Sequence, residues 1–178
     1  MHKTHRRKRV AATLFALASL ALGTQAHADG PYLGGSLGTP HYPDSVNGIS
    51  GSGSGVSGKL YGGYQINPNF ALEAGGADLG HIDDANGKVK GGSEFFDAVG
   101  IAPLTDKWSL LGRVGVAHVK LDTPFGDDGG NGPKLGLGVQ YSLSGNVALR
   151  GELERYHPNV FGDKINLEHY TFGVRVGF

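Results

Sequence analysis

The sequence predicts an all-β protein, an eight-stranded antiparallel up-and-down transmembrane β-barrel, and three observations predict it. Apolar residues recur at every second position, the period of a strand with one face buried. The connections between these runs are alternately tight and long. Glycine supplies 32 of the 178 residues, and it recurs inside the alternating runs, where it permits close backbone approach in a curved sheet.

The alternation appears in eight segments, at about 30–38, 56–66, 70–80, 93–102, 108–120, 133–143, 147–157 and 167–178, with no convincing helical period between them. The clearest run sets Leu135, Leu137, Val139 and Tyr141 against Lys134, Gly136, Gly138, Gln140 and Ser142. The next sets Val147, Leu149, Gly151 and Leu153 against Ala148, Arg150, Glu152 and Glu154. The last sets Tyr170, Phe172, Val174, Val176 and Phe178 against His169, Thr171, Gly173, Arg175 and Gly177.

A soluble sandwich also alternates, so the connections decide. Odd-to-even connections are long and polar: Thr39–Gly55, His81–Gly92, Leu121–Gly132 and Pro158–Asn166. Even-to-odd ones are tight: Asn67–Asn69, Pro103–Lys107 and Ser144–Asn146. Short turns on one side and long loops on the other characterise a bacterial outer-membrane barrel. Strands of about ten residues suit a tilted crossing of the hydrocarbon layer. In lipid an unpaired sheet edge is costly, so the sheet must close. The expected location is the cell outer membrane.

The N-terminus carries Lys3, Arg6, Arg7, Lys8 and Arg9, then an apolar stretch from Val10 to Gly23, then Ala26-His27-Ala28. That order is a secretory signal peptide, expected to be cleaved after Ala28, which leaves residues 29–178 as one barrel domain. Five of the 16 Lys and Arg lie in this leader and all 16 acids lie beyond it. The mature part therefore holds 11 bases against 16 acids, a net charge of −5. With no basic cluster, nucleic acid is not an expected partner. Cysteine is absent, so stability must come from closed hydrogen bonding or a large core rather than from disulfides.

The run from Gly62 to Gly75, containing Gly63-Tyr64-Gln65-Ile66-Asn67-Pro68-Asn69, resembles the second hairpin of the OmpA-like transmembrane domain family. Pro103-Leu104-Thr105-Asp106-Lys107-Trp108 with Leu111 to Gly115 resembles its fourth-to-fifth strand hairpin. Gly138 to Tyr141 with Ala148 to Glu154 resembles its sixth-to-seventh. Three such stretches in order cover most of the mature chain. The resemblance is to the stand-alone barrels; the peptidoglycan-binding domain of larger members is not expected. It implies that Tyr170, Phe172, Val174, Val176 and Phe178 form a C-terminal signal read by the outer-membrane assembly machinery.

An eight-strand interior is just wide enough to fill with side chains. The alternation places Glu73, Arg113, Gln140, Arg150, Glu152 and Glu154 inside. Asp97 is placed there too, because an acid facing lipid is worse than one facing arginine. Counting outward from the turns sets Gln140 opposite Arg150 and Asp97 opposite Arg113, with Glu73–Arg150 as an ion pair. In the family, residues matching Glu73 and Arg150 belong to a salt-bridge network proposed to gate a narrow channel. Here Gln140 stands where the second glutamate is expected and Val99 where the lysine is. These departures favour a charge-plugged interior over a gated channel.

Other chemistry finds less support. The glycine run Gly48 to Gly58 lacks the Lys-Ser/Thr and the helix of a phosphate loop. Clustered acids at Asp83-Asp84 and Asp127-Asp128 read as solvated loop charges, so no metal and no cofactor are expected. His118, His157 and His169 fall near the outer rim, where lipid-modifying barrel enzymes keep their sites, but no His-x-Ser accompanies them. Trp108 and Tyr64 read as a periplasmic aromatic girdle. The expectation is a non-enzymatic monomer that contacts outer-membrane lipids, with long loops that meet host or envelope surface ligands. A lipid-modifying enzyme with a rim histidine site, or a narrow gated channel, is the alternative.

Overall fold

A computed structural model describes residues 30–41, 56–84, 87–123, 126–160, 163–164 and 166–178. The segment expected to be a signal peptide and the glycine run from 48 to 55 lie outside the described residues. Among the described residues ten strands follow in order: β1 (Gly30–His41), β2 (Ser57–Asn67), β3 (Phe70–Asp84), β4 (Gly87–Pro103), β5 (Trp108–Thr123), β6 (Gly126–Ser142), β7 (Val147–Tyr156), β8 (Asn159–Val160), β9 (Asp163–Lys164) and β10 (Leu167–Gly177). β1 to β7 and β10 form a closed barrel, each strand antiparallel to its neighbours. β8 and β9 make a small separate hairpin.

Closure is made between the first and last barrel strands. Ten rungs, from Tyr32↔Gly177 to His41↔Glu168, join β1 to β10, and the Phe178 amide donates to the Pro31 carbonyl at 3.0 Å. No edge is left for lipid to face, which is the condition for crossing a bilayer with strands.

The three tight turns are built by their own side chains. The Asn69 amide donates to the Asn67 side chain at 2.9 Å. Thr105 Oγ1 accepts from the amides of Lys107 and Trp108 at 3.3 and 3.0 Å. The Val147 amide donates to Ser144 Oγ at 3.2 Å. Short polar side chains that satisfy turn amides explain why these sequences reverse the chain so sharply.

Two expectations are corrected. The segments His81–Gly92 and Leu121–Gly132 are mostly strand: β3 and β4 pair out to Asp84↔Gly87, and β5 and β6 to Thr123↔Gly126. Two antiparallel strands satisfy each other's backbone groups in water as well as in lipid, so polar composition alone did not end them. The β3–β4 ladder is interrupted between Asp78 and His81. There Gly80 takes φ +70° and its amide bonds Asp78 Oδ1 at 2.8 Å. A left-handed residue at such an irregularity is naturally glycine.

The second correction concerns register. Asp97 pairs with Gly115, and Arg113 with Val99. The turn centres one residue later than Thr105, because the Thr105 hydroxyl caps the amides that follow it. Gln140 does pair with Arg150.

The outward face is apolar in its middle band. Leu37, Leu60, Val116, Leu137 and Phe172 are all more than half exposed, as side chains that lie against lipid are. Trp108 and Tyr64 are exposed near the short turns, and Trp108 packs against Tyr141 with tilted rings whose centroids are 4.9 Å apart.

Candidate functional site

Pleating sends alternate residues of every strand inward, and the barrel is narrow enough for them to meet across its axis. Glu73 on β3, Asp97 on β4, Arg113 on β5, Gln140 on β6, and Arg150, Glu152 and Glu154 on β7 are all buried and face one another. Apolar side chains close the space below and above them. Ala71, Val99, Ile101 and Leu111 lie toward the short turns; Leu79, Val119, Leu121 and Leu167 lie toward the far end.

The charges form one connected set. Arg150 Nη1 donates to Glu73 Oε1 at 2.5 Å and to the Tyr61 hydroxyl at 3.3 Å, while its Nε donates to Gln140 Oε1 at 2.8 Å. Glu73 also accepts from the Tyr32 hydroxyl at 2.8 Å and from Arg113 Nη1 at 3.0 Å. Arg113 further reaches Asp97 at 3.3 Å and Glu154 at 3.1 Å, and pairs with Glu152. The Arg113–Asp97 contact therefore runs diagonally between strands and not across one rung. Such density has a physical reason: a buried charge is tolerated only when partners replace its lost water.

Two members of the set, Lys59 and Lys134, are absent from the sequence-based expectation. Lys59 on β2 pairs with Glu152 and lies 2.8 Å from Glu154. Lys134 on β6 lies 2.7 Å from Asp97 and 2.9 Å from Glu154, with its ammonium 3.6 Å from the Phe95 ring centroid. A signal was present for both. Lys134 heads the polar row of the clearest alternating run, and Lys59 shares the parity of Tyr61 and Gln65.

Glycine lets the aromatic part of this interior lie flat. A Cβ on Gly63 would strike the Tyr32 ring, and one on Gly34 would strike the Tyr61 ring. Each tyrosine thus lies across the glycine that faces it on the neighbouring strand, Tyr32↔Gly63 and Gly34↔Tyr61. That posture carries the Tyr32 hydroxyl sideways to Glu73.

The rim histidines are corrected in part. His169 is fully buried in the interior, and its Nε2 lies 2.6 Å from Ser57 Oγ, on the far side of β1. Glu154 Oε2 is 3.8 Å from its Nδ1. A serine is therefore in reach of a histidine despite the missing His-x-Ser, because closure brings β2 and β10 to either side of β1. His118 instead points outward and meets Asn131 at 2.8 Å. Of the C-terminal row, Tyr170, Phe172 and Val174 are exposed on the outer face, while Val176 and Phe178 are half-buried.

Comparison with solved structures agrees with this geometry. Neisserial surface protein A matches with a TM-score of 0.63 at 18% identity, over 87% of this chain and 100% of that one. The N-terminal β-barrel domain of Pseudomonas aeruginosa OprF matches at 0.59 and 14%, over 84% and 98%. Ail, the attachment invasion locus protein of Yersinia pestis, matches at 0.55 and 13%, over 84% and 97%. At these identities the likeness concerns the fold. No curated protein sequence matches the chain. The family profile described as outer membrane protein beta-barrel domain matches residues 10–178. An eight-stranded closed wall with an apolar exterior and that match lead to one conclusion: the chain belongs to the outer-membrane protein β-barrel domain family and is a protein of the cell outer membrane.

Proposed function

We propose that this barrel is a wall-stabilising and surface-interacting protein whose interior is plugged by its charge network. The observation that carries the reading is the burial of that network. Lys59, Glu73, Asp97, Arg113, Lys134, Arg150, Glu152 and Glu154 span the lumen and are each at most 6% exposed. A lumen occupied in this way offers solutes no continuous aqueous path, which turns attention to the outer end. There β3 to β6 are 15 to 17 residues long, against the roughly 9–11 needed to cross the hydrocarbon. Their surplus raises two paired hairpins above the membrane as a platform. Ail, which shares the fold, is an attachment protein by its name, and we carry attachment, as a class, to the platform. Lipids surround the wall as its lasting partners, and the assembly machinery that reads the C-terminal row is a transient one.

Two measurements test this. In planar bilayers the folded barrel should show no steady conductance, and a stable open state would overturn the plug. On cells, replacing 81–90 by a two-residue turn should abolish adhesion while the barrel still folds. Unchanged adhesion would remove the platform from the argument.

A second reading, a hydrolase, is favoured by the Ser57–His169 contact alone. Ser57 is 1% exposed and faces the lumen, away from the lipid that such an enzyme would modify. Covalent labelling of Ser57 by a fluorophosphonate would revive that reading; its absence retires it.

A further inference from the structure

The interior charges do not balance. Among the described residues, Lys59, Arg113, Lys134, Arg150 and Arg175 face the lumen, against Glu73, Asp97, Glu152 and Glu154. The surplus sits at the end of the short turns. Arg175 on β10 has no carboxylate within ion-pair distance among the described residues. Its Nη2 donates to the neutral Gln65 at 2.7 Å. Glu73, which the Tyr32 hydroxyl ties to the same part of the lumen, already accepts from Arg113, Arg150 and Tyr32.

The two arginines are neighbours. Arg175 pairs with Ala148 and Gly173 with Arg150, so Arg150 and Arg175 are inward-facing diagonal partners on adjacent strands, within reach of each other for long side chains. Both guanidinium carbons lie over the Tyr32 ring, at 5.5 Å for Arg150 and 4.0 Å for Arg175. With Gly63 against that ring, the two guanidiniums gather around one aromatic side chain. Each also presents a buried donor that meets no acceptor among the described residues: Nη2 of Arg150, a residue only 2% exposed, and Nε of Arg175.

A buried N–H without an acceptor is destabilising, more so when charged, and two like charges together add repulsion. One species removes both costs, an anion between them. We propose that the periplasmic end of the lumen is a binding site for a small monovalent anion of the halide class, held by Arg150 Nη2 and Arg175 Nε above Tyr32. Arg175 is only half-buried, so the site opens toward the short-turn mouth. The neutral Gln140 beside Arg150 is part of the same design, since a carboxylate there would supply the missing charge internally.

The test uses the folded barrel in zwitterionic micelles, with chloride exchanged for gluconate at constant ionic strength. Unfolding in urea is followed by the fluorescence of Trp108, the single tryptophan. The urea midpoint should rise with chloride and saturate, bromide should substitute, and chloride-35 resonance should broaden on addition of the protein. Arg175→Gln should lose the chloride dependence. Gln140→Glu should lose it as well while retaining every cation, so the test survives if Arg175→Gln fails to fold. A midpoint indifferent to chloride would overturn the site and assign the two donors to water. An equal chloride response in wild type and both variants would also overturn it, as general screening.

Discussion

Arg150 binds Glu73, Gln140 and Tyr61 through two of its three nitrogens, and removing it withdraws one of the two cations that neutralise Glu73. Arg150→Met should destabilise the barrel by about 3–5 kcal/mol, the cost of leaving a buried partner unpaired. Glu73→Gln in the same chain should recover part of that loss. A double-mutant cycle measures the coupling; additivity within about 0.5 kcal/mol would mean that the pair is not energetically real. Arg113→Met should cost at least as much, since that guanidinium touches four carboxylates. A different mechanism governs Gly63→Ala. The added methyl meets the Tyr32 ring, and overpacking of this kind costs about 1–3 kcal/mol. Urea unfolding that matches wild type would show that the ring can move aside freely. At this scale parity along each strand was enough to choose the inward side for Glu73 and Arg150. Parity cannot say which inward groups meet, because Lys59 reaches Glu152 and Glu154 from a strand more than 90 residues away.

Within a strand, the face decides the chemistry and the height decides the cost. Leu137 on β6 is 64% exposed on the lipid side, and Leu137→Arg should cost about 2–4 kcal/mol, as arginine does near the midplane of a barrel wall. Asn131 lies on the same outward face of β6 but far toward the paired extension, beside His118. Asn131→Arg should cost less than about 1 kcal/mol, the value near the interface. Equal costs, read by folding titration into lipid vesicles, would put the edge of the lipid beyond Asn131. The strands were legible from their alternation, and their inner halves from the turn residues that punctuate them. Their outer ends were not. Polar, glycine-rich sequence is as compatible with a solvated hairpin as with a loop, and only pairing with a partner strand separates the two.

For the molecule as a whole, stability rests on the ring of backbone hydrogen bonds being complete. The unboiled protein should therefore migrate differently on a denaturing gel from the boiled one, since a closed barrel resists detergent until heated. On intact cells, added protease should spare Asn67–Asn69 and Ser144–Asn146, which the expected orientation puts at the periplasmic end; cleavage there would reverse that orientation. Alternation, turn chemistry and the unequal connections were sufficient to read an eight-stranded membrane barrel from the chain alone, because each is a local property of neighbouring residues. The salt-bridge pairing, the Ser57–His169 contact and the charge surplus at Arg175 were settled only when the barrel closed. They depend on which strands lie across a narrow lumen and at what stagger. A shift of two residues, such as the one that moved Arg113 from Asp97 to Val99, keeps every side chain on its face while changing its partner across the rung.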